Sequence, residues 1–367
     1  MMFNRRTLLQ LGAGLTAAGM IGRRAFALDL PALPDGLLAA ARKEGRLNLI
    51  AVPRDWANYG KIIDDFSALT GLKVDSANPN GSSAEELQAI RSLKHQSRAP
   101  DTIDVGASFG PTAVKEKLVQ AYKVKPWAAI PADAKDPEGH WTGAYFGVVS
   151  FGVNLSVVKN PPKTWADLLK PEYKGMVTLT NSPLGSASAF GAVFAAALGN
   201  DGSYDNIEPG IEFFGKLAAA GNYSAVGATT ATLISGQTPI VIDWDYLNLA
   251  RRDQASGKAE ILTVLAEGAP AYGSFYASAL SAFAPHAAAG KLWLEYLLSD
   301  QGQIDFLGGY AHPIRFNELV AAGKVPDAVL KPLPPAEAYK SVRFASQAQT
   351  DKATATLKDA WPKVVKF

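Results

Sequence analysis

The chain contains no cysteine, so neither disulfide bonds nor thiol chemistry contribute to its fold or its activity. Its four histidines show no spacing typical of a metal site: His95, His140, His286 and His312. The phosphate-binding pattern GxxxxGK(S/T) and a convincing GxGxxG pattern are also missing, which argues against ATP or NAD chemistry. We therefore expect a protein that uses neither a metal nor a cofactor.

An excess of charge of one sign and a long apolar run are also missing. The 36 basic and 34 acidic residues leave a net charge of +2, far from the basic surface of a nucleic-acid-binding protein. The longest uncharged apolar stretch, Thr7–Gly22, is too short and too near the N-terminus to span a membrane. What is present is 48% hydrophobic and 19% charged residues over 367 positions, the composition of a folded protein. Its length favours about two domains.

The first 27 residues are typical of an export signal. Arg5 and Arg6 precede a modest apolar stretch, and Ala25-Phe26-Ala27 supplies the small residues of a cleavage site. The glycines of this stretch make an ordinary buried helix the weaker interpretation. We expect a twin-arginine-type signal over residues 1–27, removed after Ala27, and a periplasmic protein. Its removal would take away four arginines and no acid, leaving 32 basic against 34 acidic residues.

From Leu37 onwards, short apolar strands alternate with amphipathic helices. This rhythm predicts an α/β fold with mostly parallel sheets flanked by helices. Two long β-prone runs, Tyr145–Val153 and Phe275–Phe283, lie far apart in the chain and suit two lobes joined by two crossing strands. We expect residues 28–148 and 280–320 in lobe 1, residues 149–279 in lobe 2, and short helical pieces in residues 321–367 that pack on a lobe.

Ser108 is the centre of a G-x-S-x-G pattern between a predicted strand and a predicted helix, the setting of a nucleophile elbow. The acids and histidines of a possible triad follow in the order Ser, Asp, His: Asp243, Asp245, His286 and His312. An exported serine hydrolase is therefore the alternative from another functional class. No Gly-rich oxyanion loop precedes Ser108, and a polar loop at the end of a strand is more often a ligand contact. We expect no enzyme.

Hydroxyl side chains precede two predicted helices. Ser83 and Glu86 have the spacing of a capping box, Ser82 lies just before them, and Ser186 ends a polar segment before another helix. Helix N-termini with such residues bind carboxylates and phosphates well, and plain helix capping explains both sequences equally well. Because both follow successive strands, we expect them to face one cleft.

Residues 243–246 combine acids with aromatic side chains. Asp243, Trp244, Asp245 and Tyr246 follow a predicted strand, and this combination favours an organic cation through charge pairing and cation–π contact. If the segment continues the strand, the two acids share one face and the two aromatics share the other. The alternative is an edge strand that runs into a helix cap, without a role in binding. Further candidates for aromatic walls lie elsewhere in the chain: Trp56, Tyr59, Tyr272, Phe275 and Tyr276. For any one of them, packing in the core or at the hinge is the favoured alternative. The alternative near Trp56 is an anion site, because Arg54 lies two residues before it and could bind an anion.

Three segments resemble a known family. They are residues 39–47 (AAARKEGRL), residues 162–175 (PKTWADLLKPEYKG) and residues 287–303, which end in SDQGQ. Together they are similar to the extracellular solute-binding proteins that serve ABC importers (family 1), in the branch that holds ferric-ion, polyamine, thiamine and aminoethylphosphonate binders. The resemblance covers essentially the whole chain after residue 27.

The resemblance implies two α/β lobes that close on a solute, an ABC permease as partner, and no chemistry. It places the solute contacts around Trp56, Ser82, Ser83, Ser108, Ser186, Asp243–Tyr246 and Tyr276. Ferric binders of the branch commonly have two adjacent tyrosines where this chain has only Tyr246, so a ferric ion is one alternative and a phosphonate another. We expect a monomer that binds an organic cation or zwitterion such as a polyamine, with a role in signalling left open.

The roles expected within this site are a charge pair, a stacking ring and an anion contact. We expect Asp243 or Asp245 to pair with a ligand cation and Trp244 or Trp56 to stack on it. An anionic end would meet one of three hydroxyls: Ser83, Ser108 or Ser186.

Overall fold

The computed structural model describes residues 33–334, Tyr339 and residues 342–366. The export signal expected in residues 1–27 lies outside these described residues. Within the described ranges, none of the helices has both the length and the apolar character that a membrane span requires.

The elements alternate along the chain much as the hydrophobic pattern predicts. The strands are β1 (Arg46–Ile50), β2 (Lys73–Ala77), β3 (Thr102–Gly106), β4 (Val119–Gln120), β5 (Thr142–Asn154), β6 (Val177–Thr178), β7 (Tyr223–Ser224), β8 (Ile240–Trp244), β9 (Ile261–Val264), β10 (Gly273–Ser281) and β11 (His312–Pro313). The helices are α1 (Leu37–Glu44), α2 (Tyr59–Thr70), α3 (Ser83–Leu93), α4 (Gly110–Lys115), α5 (Ala187–Leu198), α6 (Glu208–Ala219), α7 (Thr230–Ser235), α8 (Asp245–Gln254), α9 (Ala287–Leu298), α10 (Asp300–Leu307), α11 (Phe316–Ala321), α12 (Asp327–Leu330) and α13 (Gln347–Val364).

The strands form two groups. In the first, which we call lobe 1, β1 and β2 pair in parallel and β3 lies beside them. In the second, lobe 2, β8, β6 and β7 pair in parallel in that order. The helices α1–α4, α9, α10 and α12 pack with lobe 1, and α5–α8 and α13 pack with lobe 2. Parallel strands with helical connections are the α/β pattern that the sequence predicts.

Two long strands join the two groups. The first part of β5 pairs antiparallel with β10, up to Val148, and its second part, from Val149, pairs antiparallel with β8 and β9. β10 in turn pairs antiparallel with β3 of lobe 1. The two long β-prone runs of the sequence are therefore the crossing strands. Their antiparallel pairing makes the central sheet mixed, while the short strands within each lobe remain parallel.

Aromatic side chains fill the core of lobe 2 around the family-like segment. Trp165 of that segment packs edge-on against Phe151 of β5, with ring centroids 5.0 Å apart, and against Phe213 of α6, 5.6 Å apart. All three side chains are buried. The residues of this segment therefore stabilise the lobe by packing.

The capping box of α3 lies one residue earlier than the sequence interpretation placed it. Ser82 is the capping residue, because its N–H and its hydroxyl both donate to Glu85 Oε2, at 2.7 and 2.8 Å. Ser83 turns inward and its Oγ accepts a hydrogen bond from the N–H of Gly106 at 3.1 Å. Because Ser82 is the cap, Ser83 does not cap α3 but links α3 to the end of β3.

The expectation of short helical pieces at the C-terminus is wrong for residues 347–364, which form the single helix α13. Ser346 caps the helix, and its buried residues recur at helical spacing: Thr350, Ala353, Leu357 and Trp361. Trp361 packs against Phe214 of α6 with ring centroids 5.4 Å apart. Because the apolar stripe is narrow and most other residues are polar, the sequence pattern does not predict one long helix here. Contact with lobe 2 stabilises α13.

Candidate functional site

A cleft of about 550 Å³ opens between the two lobes. Lobe 1 contributes the loop after β1, the start of α3 and the end of β3, and lobe 2 contributes the starts of α5 and α7 and one face of α8. The carboxyl ends of strands and the N-termini of helices thus meet in one place, as is usual for ligand sites in α/β proteins. The volume suits a small organic molecule.

The wall from lobe 1 holds two buried acids, Glu86 of α3 and Asp104 of β3. Glu86 Oε2 accepts a hydrogen bond from the N–H of Asp104 at 2.9 Å. Asp104 accepts from the hydroxyls of Tyr145 at 2.8 Å and Ser278 at 3.3 Å. Burial raises the pKa of Asp104 to about 6 and that of Glu86 well above its usual value, and the charge of Asp104 adds to the rise for Glu86. No basic side chain pairs with either acid among the described residues.

Aromatic side chains lie beside these acids. Trp56 Nε1 donates to the Tyr145 hydroxyl at 2.7 Å, and this hydroxyl donates to Asp104. Tyr145 stacks on Tyr276, with centroids 5.4 Å apart and planes 5° apart, and Trp56 meets the Tyr276 ring edge-on at 5.3 Å. The hydrogen bonds fix the Trp56 ring next to a carboxyl group. Acids beside aromatic rings form a site suited to an organic cation.

The wall from lobe 2 is rich in hydroxyl groups. Ser186 caps α5, Ser188 lies in the first turn, and the Ser188 Oγ is 3.1 Å from Thr180 Oγ1 and 3.3 Å from Ser186 Oγ. Thr229 and Thr230 line the same wall at the start of α7. The helix α5 is long enough to carry a dipole whose positive end faces the cleft. Hydroxyls and free N–H groups at such a helix end are suited to an anion.

One face of α8 completes this wall. Residues at helical spacing line the cleft: Leu247, Ala250, Arg251 and Gln254. Arg251 Nη2 lies 2.7 Å from Asp243 Oδ2, and both side chains are buried. The sequence analysis missed Arg251, although the i, i+3, i+4, i+7 spacing of these residues is a signal for a shared face. It also missed the role of Glu86, near the start of α3, and of Asp104, inside β3, as cleft residues, because nothing in the local sequence marks them.

The cleft brings together several of the residues expected at the site. Trp56, Ser82, Ser83, Ser186, Asp243 and Tyr276 all line it. Ser82 and Ser83 come from lobe 1, and Ser186 and Asp243 come from lobe 2. The expectation that the two hydroxyl-bearing helix starts share one cleft therefore agrees with the geometry.

Three residues of the segment 243–246 do not line the cleft, because β8 ends at Trp244 and α8 begins at Asp245. Trp244 and Tyr246 instead pack behind the cleft residues Tyr276 and Trp56. The interpretation of this segment as a continuing strand is wrong, and the alternative of a strand that runs into a helix agrees with the structure. Trp244 packs against Gly191, where an added Cβ would lie 2.6 Å from its ring, and Tyr246 packs equally closely on Gly147. Asp245 accepts hydrogen bonds from the Val148 N–H at 2.9 Å and the Tyr339 hydroxyl at 2.6 Å.

Tyr59 also lies in the core. Its ring is buried in lobe 1, stacked on Trp293 with centroids 6.3 Å apart and edge-on to Phe306 at 5.6 Å. Tyr59 opens α2 and is turned inward with the apolar face of that helix. Its structural surroundings are those of a packing residue.

Ser108 lies in a separate small pocket beside Phe344 and Thr350, next to the C-terminal segment. Among the described residues, no hydrogen bond joins it to a histidine. His286 Nδ1 is 3.0 Å from Asp101 Oδ2, and burial against apolar neighbours lowers the pKa of His312 to about 4. The described residues therefore do not assemble Ser108 into a Ser–His–Asp triad. Within the same ranges, His, Asp and Glu form no group of three or more that would hold a metal ion.

A sequence profile of bacterial extracellular solute-binding proteins matches residues 98–348. The chain belongs to this family. The resemblance seen in the sequence is thereby confirmed, and members of the family bind small molecules and work with an ABC permease. The chain is the periplasmic solute-binding component of an ABC transporter.

Individual relatives agree with this assignment. A periplasmic protein of Salmonella typhimurium, provisionally named for 2-aminoethylphosphonate binding, is 26% identical over 248 residues, 67% of this chain and 70% of the relative. The solved periplasmic binding protein P5PA has a TM-score of 0.70 at 20% identity and covers 88% of this chain and 100% of its own. AfuA from Actinobacillus pleuropneumoniae, solved with fructose-6-phosphate, has a TM-score of 0.64 at 18% identity and covers 87% and 99%. The solved neighbours show the two-lobe fold.

Proposed function

We propose that this solute-binding protein captures a small zwitterion with an ammonium group at one end and a phosphonate or phosphate group at the other. The observation that carries the proposal is the contrast between the two walls of the cleft. Lobe 1 offers buried acids beside aromatic rings, and lobe 2 offers hydroxyls, a helix N-terminus and an arginine. A molecule with both charges would contact both lobes at once and hold them together.

The ammonium group is assigned to Glu86, Asp104 and the rings of Trp56 and Tyr276. A buried carboxyl without a basic partner has lost hydration that nothing replaces, which is why the pKa values of both acids are raised. An ammonium group in the cleft supplies the missing charge. The rings add cation–π attraction of about 0.5–2 kcal/mol.

The anionic group is assigned to the start of α5. At that helix end, the Ser188 hydroxyl lies within hydrogen-bond distance of both the Thr180 and the Ser186 hydroxyls. A tetrahedral oxyanion accepts several hydrogen bonds at once, so such a cluster suits a phosphonate better than a planar carboxylate.

This proposal keeps the zwitterion of the sequence expectation and prefers a phosphonate to a polyamine. A polyamine carries a cation at each end, whereas the acid of the lobe 2 wall, Asp243, is already paired with Arg251. The curated relative named for 2-aminoethylphosphonate and the neighbour solved with a sugar phosphate support an oxyanion in this fold.

Calorimetric titration of the protein, freed of ligand by unfolding and refolding, tests the proposal. We expect 2-aminoethylphosphonate to bind at least about tenfold more tightly than ethylphosphonate or putrescine, since each lacks one of the two matched ends. Ser188→Ala should weaken binding, and Ser235→Ala, an exposed serine on α7, is the matched control. Putrescine as the tighter ligand would overturn the proposal in favour of the polyamine.

We also propose the organisation around this site. Residues 28–148 and 280–320 would form one closing body and residues 149–279 the other, as the change of pairing along β5 supports. The C-terminal helices in residues 321–367 would pack on one lobe. A monomer exported by a twin-arginine-type signal completes the proposal. Light scattering tests whether the protein is a monomer.

The variant Arg5→Lys/Arg6→Lys should not be exported, and unchanged export of that variant would contradict the twin-arginine assignment.

A further inference from the structure

Arg251 has an unusual position for a buried cation. It lines the cleft, and its side chain is 10% exposed. Within the described part of the chain it makes two side-chain hydrogen bonds, Nη2 to Asp243 Oδ2 at 2.7 Å and Nη1 to Asn248 Oδ1 at 2.8 Å. A guanidinium group has five N–H donors, so three are left without a protein acceptor. Unpaired donors in such a place favour an acceptor from the cleft.

The side chain is held by a closed network of buried groups. Asn248 Nδ2 donates to Ser150 Oγ at 2.9 Å, and Ser150 Oγ donates to the carbonyl oxygen of Asp243 at 3.2 Å. Space for Asn248 exists because residue 152 is glycine, where an added Cβ would lie 2.3 Å from Asn248 Oδ1. Asp243, Asn248 and Ser150 are each fully buried. The network holds Nη1 and Nη2 by one hydrogen bond each and leaves the other three N–H donors without an acceptor among the described residues.

Asp243 is occupied on both of its oxygens. Oδ1 accepts the N–H of Trp244 at 2.9 Å, and Oδ2 accepts Arg251. A carboxylate engaged in this way orients its arginine and offers little to a second cation. Its surroundings therefore differ from those of Glu86 and Asp104 on the opposite wall, which have no basic partner.

We infer that Arg251 is the charged anchor for the anionic end of the ligand, and that Asp243 is the positioning residue that aims it. This inference rests on the proposed function in taking the ligand to carry an oxyanion. It changes the role expected for Asp243, from the partner of a ligand cation to the partner of Arg251. A planar fork with free donors pairs with two oxygens of a phosphonate at once, which a lysine cannot do.

The test compares variants of Arg251 with a matched neighbour. Arg251→Lys keeps a charge for Asp243 and loses the fork, and Asp243→Asn/Arg251→Gln removes both charges, so that no unpaired charge is left buried. Arg252→Gln is the control, because Arg252 is the next residue of α8, is only partly buried and contacts Asp253 and Tyr310, which do not line the cleft. Each is titrated with 2-aminoethylphosphonate, inorganic phosphate and ethylamine, and its thermal midpoint verifies folding.

We expect Arg251→Lys and the double variant to lose roughly tenfold to a hundredfold in affinity for 2-aminoethylphosphonate and phosphate. Their affinity for ethylamine should stay unchanged, and Arg252→Gln should behave as the parent protein. A folded double variant that binds 2-aminoethylphosphonate as tightly as the parent overturns the inference and leaves the proposed function standing. Loss of ethylamine binding in the double variant, with phosphate binding retained, would return Asp243 to the role of a cation partner.

The two proposals fail in different ways. If the parent protein binds phosphate but prefers it to 2-aminoethylphosphonate, the zwitterion is wrong, and loss of phosphate binding in the Arg251 variants still establishes the anchor. If the parent protein binds neither phosphate nor 2-aminoethylphosphonate, both the proposed ligand class and the anchor are overturned.

Discussion

Gly106 at the end of β3 and Ala187 at the start of α5 meet so closely that a Cβ on Gly106 would lie 2.1 Å from the Cβ of Ala187. The first residue belongs to lobe 1 and the second to lobe 2, and both are next to the hydroxyls that line the cleft. The two lobes therefore touch where the absence of a side chain permits it. We expect a side chain at residue 106 to hinder closure around a ligand.

Gly106→Ala is expected to weaken ligand binding by about tenfold or more. The added methyl group collides with Ala187 only when the lobes meet, and overpacking of this kind costs about 1–3 kcal/mol. Gly185→Ala is the matched control, since Gly185 lies two residues before Ala187 on the other side of the contact and has open space around it. Titration of both variants with 2-aminoethylphosphonate checks the prediction. Equal affinities for the two variants would contradict a role of this contact in closure.

Two tryptophans should respond in opposite ways. Trp244→Phe should lower the free energy of unfolding by about 1–2 kcal/mol, because its ring fills the space against Gly191, and should change affinity little. Trp56→Phe should leave stability almost unchanged and weaken binding by about fivefold, through loss of the hydrogen bond to Tyr145 and of part of the cation–π attraction. Urea unfolding and calorimetry separate the two effects. A larger affinity loss for Trp244→Phe would restore that residue to the site.

Asp104 should make the ligand-free protein less stable as the pH rises. Its pKa is about 6 in the folded state and near its ordinary value of 3.8 in the unfolded state. Between these values the folded state binds more protons, so the free energy of unfolding falls with increasing pH, by about 3 kcal/mol in total. In Asp104→Asn this carboxyl group is absent, so its free energy of unfolding does not fall with pH in this way. Urea unfolding from pH 4 to pH 7 should therefore show the variant gaining stability relative to the parent. A difference in the free energy of unfolding between variant and parent that stays constant from pH 4 to pH 7 would contradict the prediction.

Ligand binding should release a proton from Asp104 near pH 6. An ammonium group beside the carboxylate favours the ionised form and lowers its pKa again, so affinity should rise by about tenfold between pH 5 and pH 7. The phosphonate also titrates, and Asp104→Asn controls for this because the ligand is the same. Calorimetry in two buffers of different ionisation enthalpy counts the protons. Equal proton release by the parent and the variant would remove Asp104 from the ammonium site.

The fold was largely predictable, because its signals are local or repeat along the chain. The start of α1 at Leu37 and its end before Gly45, which has φ = 77°, follow from hydrophobic spacing and a C-terminal glycine. The crossing strands were recognisable as unusually long β-prone runs. The helix α13 was not, since its narrow stripe has meaning only against α6, which lies far away in the chain.

The site was predictable only in part, because the surroundings of a side chain depend on residues distant in sequence. Ser186 and Trp56 were recognisable from their positions after strands. The sequence analysis assigned Trp244 and Tyr246 to the site because they are aromatic residues next to acids. The change from strand to helix at Asp245 places both side chains in the core. Nothing local distinguishes Asp104, whose burial comes from crossing strands β5 and β10, from an ordinary strand acid.

A crystal structure of the complex with 2-aminoethylphosphonate tests the central claim most directly, because it locates both ends of the ligand. We predict the ligand nitrogen within about 3.2 Å of a carboxylate oxygen of Glu86 or Asp104, and the phosphonate oxygens at similar distances from Arg251 and the hydroxyls at the start of α5. A ligand bound in the reverse orientation, or with its phosphonate away from lobe 2, would contradict the account.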